Sequence, residues 1–256
     1  MNKKVVIVTG GAGGIGTEVC MAFASQGVMV AVADMDEARA ESVATEVAES
    51  GSKALGVGMD VADESSVKSA VNRTVERFGR VDFLVHCAGN NVKSPLLDMT
   101  LEQWRSSLDT HLTGAFLACR EAGRQMVNQG EGGRVVLMSS VAATSPVPDR
   151  GAYSPAKAGL SNMARLLSLE WAQYNINVNA VCPGVAKTAM TELVYKRDPD
   201  LQRQRLKRMP MGREVLPEEI ADLVVFLCSD GASYINGASI PIDGGFLHTG
   251  FFPEPT

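Results

Sequence analysis

The sequence predicts an α/β fold, a single doubly wound parallel sheet of Rossmann type with helices on both faces. Three observations carry that prediction. Short β-branched apolar runs alternate with amphipathic segments along the 256 residues, the rhythm that builds βαβ units with right-handed crossovers. The apolar runs lack the in-and-out alternation of a half-exposed strand, so they are expected to be buried on both faces. The first of them runs directly into a glycine cluster, TGGAGGIG at Thr9–Gly16. No internal repeat, low-complexity tract or linker divides the chain, and one domain over 1–256 is expected.

Taken in order, Lys4–Thr9 is the first strand and the amphipathic segment from the glycines to Gln26 the first helix. In a strand–turn–helix context, missing Cβ atoms let a pyrophosphate approach the backbone, and the helix N-terminus favours the anion. Gly10, Gly14 and Gly16 are therefore candidate phosphate-binding residues, a flexible turn being the plainer reading. The second strand, Val28–Ala33, ends at Asp34, 24 residues beyond Gly10. A carboxylate there suits an adenosine ribose and repels a 2′-phosphate. Met35 follows instead of Arg or Lys, so NAD is favoured over NADP; alternatively, Asp34 caps the helix starting near Glu37.

Helix Glu37–Glu49, a strand near Lys53–Met59 ending at Asp60-Val61, helix Ser65–Phe78 and strand Val81–His86 continue the alternation. Thr100, with Gln103 three residues on, opens a long helical region to Asn128. Strand Gly133–Met138 carries Ser139-Ser140 at its carboxyl end, where ligands bind in such sheets. Strand Ile176–Cys182 runs into Pro183-Gly184, and a polar stretch to Arg213 reads as a substrate lid at about 188–213. Helix Pro217–Ser229 and strand Ala238–Ile242 close the fold.

Tyr153 and Lys157 stand four residues apart at the start of a helix, a spacing that puts both on one face. An ammonium beside a phenol favours the phenolate, which would tune an otherwise weak acid for proton transfer. Taken alone, such a pair is usually a packed ring and a solvated cation.

TGGAGGIG, Asp60, the Ala88-Gly89 turn, Ser140 thirteen residues before Tyr153, Lys157 four after it, and Pro183-Gly184 with Thr188 together resemble the short-chain dehydrogenase/reductase family across essentially the whole chain. The resemblance implies that Tyr153 is the general acid or base, that Lys157 lowers its pKa and holds the nicotinamide ribose, and that Ser140 hydrogen-bonds the substrate oxygen. It further places Gly10, Gly14, Ile15 and Gly16 at the pyrophosphate and Asp34 at the ribose. Asp60 and Val61 fall at the adenine, and Val185 and Thr188 at the nicotinamide amide. Two departures stand out. His111 occupies the place of an asparagine that anchors a water relaying protons to the lysine; an imidazole could hold that water and also titrate near neutral pH, or it could merely fill the position. His86-Cys87 replaces the usual Asn-Asn before Ala88-Gly89, a turn that supports the cofactor pocket through its backbone.

These residues imply oxidation of a small secondary alcohol, polyol or sugar-like hydroxyl with NAD. The alternatives are a 3-oxoacyl-[acyl-carrier-protein] reductase-like enzyme and a non-catalytic dinucleotide-binding regulator. A net charge of −5 gives no basic field, so neither nucleic acid nor membrane is expected as a partner. The five cysteines and three histidines lack the spacing of a disulfide framework or metal site, so no metal is expected. Met1-Asn2-Lys3-Lys4 precedes only a short apolar run, and the expected location is the cytoplasm. The resemblance implies a homotetramer, and the aromatic tail at Phe246, Phe251 and Phe252 suggests burial against a neighbouring subunit.

Overall fold

The structure is a computed structural model and describes residues 3–249; Phe251 and Phe252 of the aromatic tail lie outside the described residues. Seven parallel strands form one sheet in the order β3-β2-β1-β4-β5-β6-β7, with β1 at Val5–Thr9, β2 at Met29–Asp34, β3 at Ala54–Gly58, β4 at Phe83–His86, β5 at Gly133–Met138, β6 at Ile176–Pro183 and β7 at Ser239–Ile242. Strand side chains alternate between faces and both faces are covered, so each strand feeds two cores. Val6, Val8, Val30 and Val32 pack on one face with Val19 and Phe23 of α1 (Gly14–Ser25), Val43 and Val47 of α2 (Glu37–Glu49) and Ile220 and Val224 of α9 (Pro217–Leu227). On the other face Ile7, Ala31, Ala33 and Leu84 meet α3 (Glu64–Phe78), α5 (Gly114–Gln129) and α6 (Tyr153–Trp171). The predicted fold class is the observed one.

Several boundaries shift by one or two residues, and three differences have physical content. Asp36, and not Asp34, caps α2: its carboxylate accepts from Arg39 N at 3.1 Å. This corrects the capping alternative and leaves Asp34 available to the carboxyl edge. The helical region after Thr100 is not continuous. The expected Thr100/Gln103 capping box starts α4 (Leu101–Leu108), but a π turn at Asp109–Thr113 interrupts the path into α5. Such a turn widens the helix locally and re-aims its side chains. The polar stretch after Val185 is not irregular: it folds into α7 (Ala189–Arg197) and α8 (Pro199–Lys207), started by a Thr188 cap and by Asp198 followed by Pro199.

The order of strands reverses between β1 and β4, which opens a crevice at their carboxyl ends. Thr9 closes its floor: Thr9 O accepts from Cys87 N at 3.0 Å, Thr9 Oγ1 accepts from Ala88 N at 3.3 Å, and the same hydroxyl meets His86 Nδ1 at 2.9 Å. At the opposite end of β4, Asp82 is 2% exposed. It accepts from Val5 N, Lys4 Nζ (both 2.9 Å) and Arg80 Nε (2.7 Å). Burial alone would raise its pKa, but the bonds from Arg80, Lys4 and Val5 outweigh burial and hold it below the ordinary value.

A depressed folded pKa gives stability that is present above the unfolded value near 4 and is lost as pH falls through the folded one. Asp82→Asn is expected to lower the unfolding free energy by about 2 kcal/mol at pH 7. In urea titrations the wild-type and variant curves should converge as pH drops below about 4. A gap unchanged at pH 3 would contradict this account.

Candidate active site

The glycine turn joins β1 to α1 with no Cβ to spare. Gly10 has φ +63, and a Cβ on it would lie 2.8 Å from Ala88 backbone atoms; one on Gly16 would lie 2.1 Å from Gly10 O. These two glycines are required by the protein's own packing. Gly14 is exposed, and the methyl group of Thr188 faces it. Helix α1 begins at Gly13 with no side-chain cap and no acidic residue in its first turn, so the amides at Gly14–Gly16 retain their donor capacity toward the crevice. Asp34 sits beside this turn and accepts from Ala12 N at 3.1 Å and Asp36 N at 3.2 Å, while Met35 is 78% exposed. Further along the edge, Asp60 is exposed and accepts from Ala62 N at 2.9 Å; Val61 is buried against Gly114. Cys87, Ala88 and Gly89 form the β4 turn. Pro183 ends β6, Gly184 N donates to Ile242 O at 3.0 Å, and Val185 O accepts from Val215 N at 3.1 Å.

The other half of the site hangs between β5 and α6. Ser139 Oγ donates to Lys157 O at 2.8 Å and contacts Ser161 Oγ at 2.9 Å, so Ser139 fastens the helix to the strand. Ser140, 9% exposed, accepts from Ala142 N at 3.1 Å and opens the turn Val141–Ala143. Tyr153 starts α6 and is half-buried. Lys157 is 4% exposed; its Nζ donates to Met138 O at 2.7 Å and lies 5.5 Å from the Tyr153 ring centroid. Burial lowers its pKa to about 8, partly offset by the Cys87 and Cys182 thiols.

His111 lies in the π turn and presents the Tyr153 ring with an edge-on contact, centroids 5.3 Å apart. A Cβ on Gly89 would lie 2.4 Å from His111 Cε1, so the glycine makes room for the imidazole. His111 Nε2 is 3.0 Å from Asn90 O and 3.3 Å from Asn90 N. The shorter contact assigns Nε2–H as donor and leaves Nδ1, which is buried and without a partner, as an acceptor. Burial, with Lys157 nearby, lowers the pKa of His111 to about 3, and burial does the same to His86. The expectation that His111 could titrate near neutral pH is therefore corrected: a desolvated imidazole beside an ammonium stays neutral.

The sequence reading missed two positions. Asn90 ties the β4 turn to the π turn through Ser106 O and Thr110 Oγ1, both at 3.1 Å. Arg150 places its guanidinium carbon 5.9 Å from the Tyr153 ring centroid. No spacing rule marks either, because loops bring them in from separate parts of the chain.

A reaction that brings a dinucleotide and an alcohol together needs an anion cradle, a proton-transfer group and a buried cation on one edge, and that requirement defines the class: an oxidoreductase of alcohol groups. Comparison with known proteins gives the family. Residues 10–247 match a family model described as enoyl-(acyl carrier protein) reductase. D-threitol dehydrogenase of Mycolicibacterium smegmatis is 37% identical over 247 residues, 96% of this chain and 94% of that protein. L-rhamnose 1-dehydrogenase (NAD(P)(+)) of Azotobacter vinelandii is 38% identical over 250 residues, 95% and 96% of the two chains. Among solved structures, NAD+-bound xylitol dehydrogenase superposes with a TM-score of 0.90 at 32% identity, covering 95% of this chain and 99% of that one. The chain belongs to the short-chain dehydrogenase/reductase family, which uses a nicotinamide cofactor.

Because the imidazole fills the space over Gly89, Gly89→Ala is expected to destabilise the protein by about 1–3 kcal/mol. His111→Asn, with its smaller side chain, should recover most of that loss in the double variant. Additive losses in a double-mutant cycle would show that the ring and the glycine are not in contact.

Proposed function

We propose that this chain oxidises a small secondary alcohol of polyol or sugar-like type with NAD, and reduces the corresponding ketone in the reverse direction. The observation that carries the cofactor choice is Asp34. Its carboxylate is fixed by Ala12 N and Asp36 N at the end of β2, where it suits the two ribose hydroxyls and repels a 2′-phosphate; no Arg or Lys follows to offset it. The uncapped start of α1 and the open face of Gly14 fit a pyrophosphate. The substrate class is supported by the relatives named for threitol, rhamnose and xylitol.

In this reading a bound nicotinamide would supply the hydride acceptor for the carbinol carbon. Tyr153 Oη takes the hydroxyl proton, or returns it in reduction, and Ser140 Oγ holds the reacting oxygen as charge develops. Lys157 uses one of its three donors on Met138 O. The others are free to hold the ribose and to pass protons on. His111 Nδ1, a buried acceptor without a protein partner, is the atom suited to anchor a water on that path. Asp60 and Val61 flank the adenine, Cys87 to Gly89 support the pocket through their backbone, and Val185 and Thr188 meet the amide. Helices α7 and α8 form the lid over the substrate. The family model's description names acyl-carrier-protein reductases; against that reading, Glu131 and Tyr174 stand near the carrier's expected docking face, where an acidic carrier would need basic residues.

We also read the chain as cytoplasmic and as a homo-oligomer; the oligomer is supported by an apolar groove of about 450 Å³ between α5 and α6 lined by Phe116, Val127, Met163, Leu166 and Trp171. Phe116 and Leu166 are 48% and 52% exposed, the pattern of a surface suited to a second copy. The double variant Phe116→Glu/Leu166→Glu is expected to sediment as a smaller species than wild type. An unchanged sedimentation coefficient would remove this face from the assembly.

A turnover screen of alcohols, polyols and ketones with NAD(H) and NADP(H) side by side tests the main reading. NAD should be preferred by kcat/KM, and Asp34→Ser/Met35→Arg should erode that preference. Tyr153→Phe should lower kcat by about 10²–10⁴ while leaving NADH binding intact. A Tyr153→Phe enzyme of wild-type activity would refute the assignment.

A further inference from the structure

Arg150 is a half-buried cation beside the reacting phenol with no carboxylate to pair it. Its guanidinium carbon lies 5.9 Å from the Tyr153 ring centroid, and among the described residues no Asp or Glu forms an ion pair with it. Partly buried guanidinium groups usually meet an anion. Three basic residues of the lid are engaged otherwise: Arg203 pairs with Asp200, Arg205 bonds Tyr195 Oη, and Arg208 stacks over the Phe246 ring at 4.7 Å.

The position of Arg150 is fixed from several directions. Its Nη1 donates to Asn91 Oδ1 at 2.6 Å, and Asn91 Nδ2 reaches Met190 Sδ, at the start of the lid, at 3.8 Å. Neighbouring Asn90 is the residue tied to His111 and Ser106. The backbone of Arg150 forms a parallel bridge with Ser94, and its carbonyl accepts from Tyr153 N at 2.8 Å. Asp149 on one side has φ +59 and Gly151 on the other φ +32. A left-handed non-glycine residue is costly and persists only where its surroundings impose it. The strand-like bridge and the helix start impose it here, and the result is an arginine held against the catalytic tyrosine. One of its five N–H donors is used; the remaining fork has the geometry of a carboxylate receptor.

Resting on the reading of Tyr153 as the proton-transfer group, we propose that Arg150 binds an anionic end of the substrate. Within the polyol and sugar-like class, the preferred substrates are the hydroxy acids and the matching oxo acids, in which a carboxylate lies a few carbons from the reacting carbinol. The 5.9 Å between the guanidinium carbon and the phenol ring centroid is matched by about four carbon–carbon bonds of about 1.5 Å each. Asn91 sets the plane of the fork, and its contact with Met190 places the lid over the same charge.

The test compares butanoate with its neutral isostere butanamide. Each is titrated calorimetrically into the NADH-loaded protein and assayed as a competitive inhibitor of whichever alcohol the protein oxidises. Wild type is expected to bind butanoate at least tenfold more tightly than butanamide. Arg150→Met should abolish that preference with NADH affinity unchanged within about twofold, and Arg150→Lys should keep part of it. Asn91→Ala, which leaves the charge but frees its orientation, should reduce it by a smaller factor. Equal binding of the two probes to wild type overturns the proposal, as does a preference that survives in Arg150→Met. If Arg150→Met fails to fold, the wild-type comparison and Asn91→Ala still decide. Should no alcohol be oxidised, the reading of the site as a dehydrogenase fails, while the calorimetric comparison still decides the role of Arg150.

Discussion

The contact that orders the site is the close approach of β1's glycine turn to β4's turn. Gly10 lies so near Ala88 that no Cβ fits between them, and Thr9 bonds Cys87, Ala88 and His86 at the same junction. One residue on, Gly89 repeats the device against His111, whose ring edge meets Tyr153. The glycine turn and Tyr153 are therefore linked by three successive van der Waals contacts. Strand reversal between β1 and β4 brings these turns together, and glycine lets them touch.

Electrostatics follow from that packing. The protein is acidic overall, with a net charge of −5, yet the interior beside Tyr153 holds an ammonium and two imidazoles. Burial resolves the conflict by keeping the imidazoles neutral and lowering Lys157 to about 8. The Met138 carbonyl supplies the local dipole that the ammonium needs. Ser139, fastened to the Lys157 carbonyl, holds strand and helix at the spacing this bond requires. The two adjacent serines therefore divide their work: one fixes the frame, and the other faces the crevice.

The fold was legible because period and punctuation are local. β-branched runs gave β1, β5 and β6 nearly to the residue, and the Thr100/Gln103 box gave the start of α4. The Tyr153 and Lys157 spacing also transfers directly into space, since both lie on one helix. What stayed hidden was what depends on distant segments meeting. The π turn at Asp109–Thr113 has no period of its own to detect. The ionisation of His111 depends on burial under Gly89 and on a lysine 46 positions away. Helices α7 and α8 were in part legible, for Asp198-Pro199 is a helix-start signature that the abundance of charge obscured.

This division between the legible and the hidden follows the division of labour in the molecule. In the proposed reading, hydride and proton chemistry, the same for any alcohol, falls to strand ends and one helix, where sequence spacing fixes geometry. Discrimination among alcohols falls in that reading to the 90–99 and 144–151 loops and α7, which meet where Asn91 bonds Arg150 and contacts Met190. Relatives named for different alcohols are 37–38% identical to this chain over nearly its whole length. Arg150 occupies that boundary. It is joined by its carbonyl to the first turn of the catalytic helix and by its guanidinium to Asn91 on the facing loop. In the proposed reading, a single residue so placed changes which alcohol is accepted without moving Tyr153.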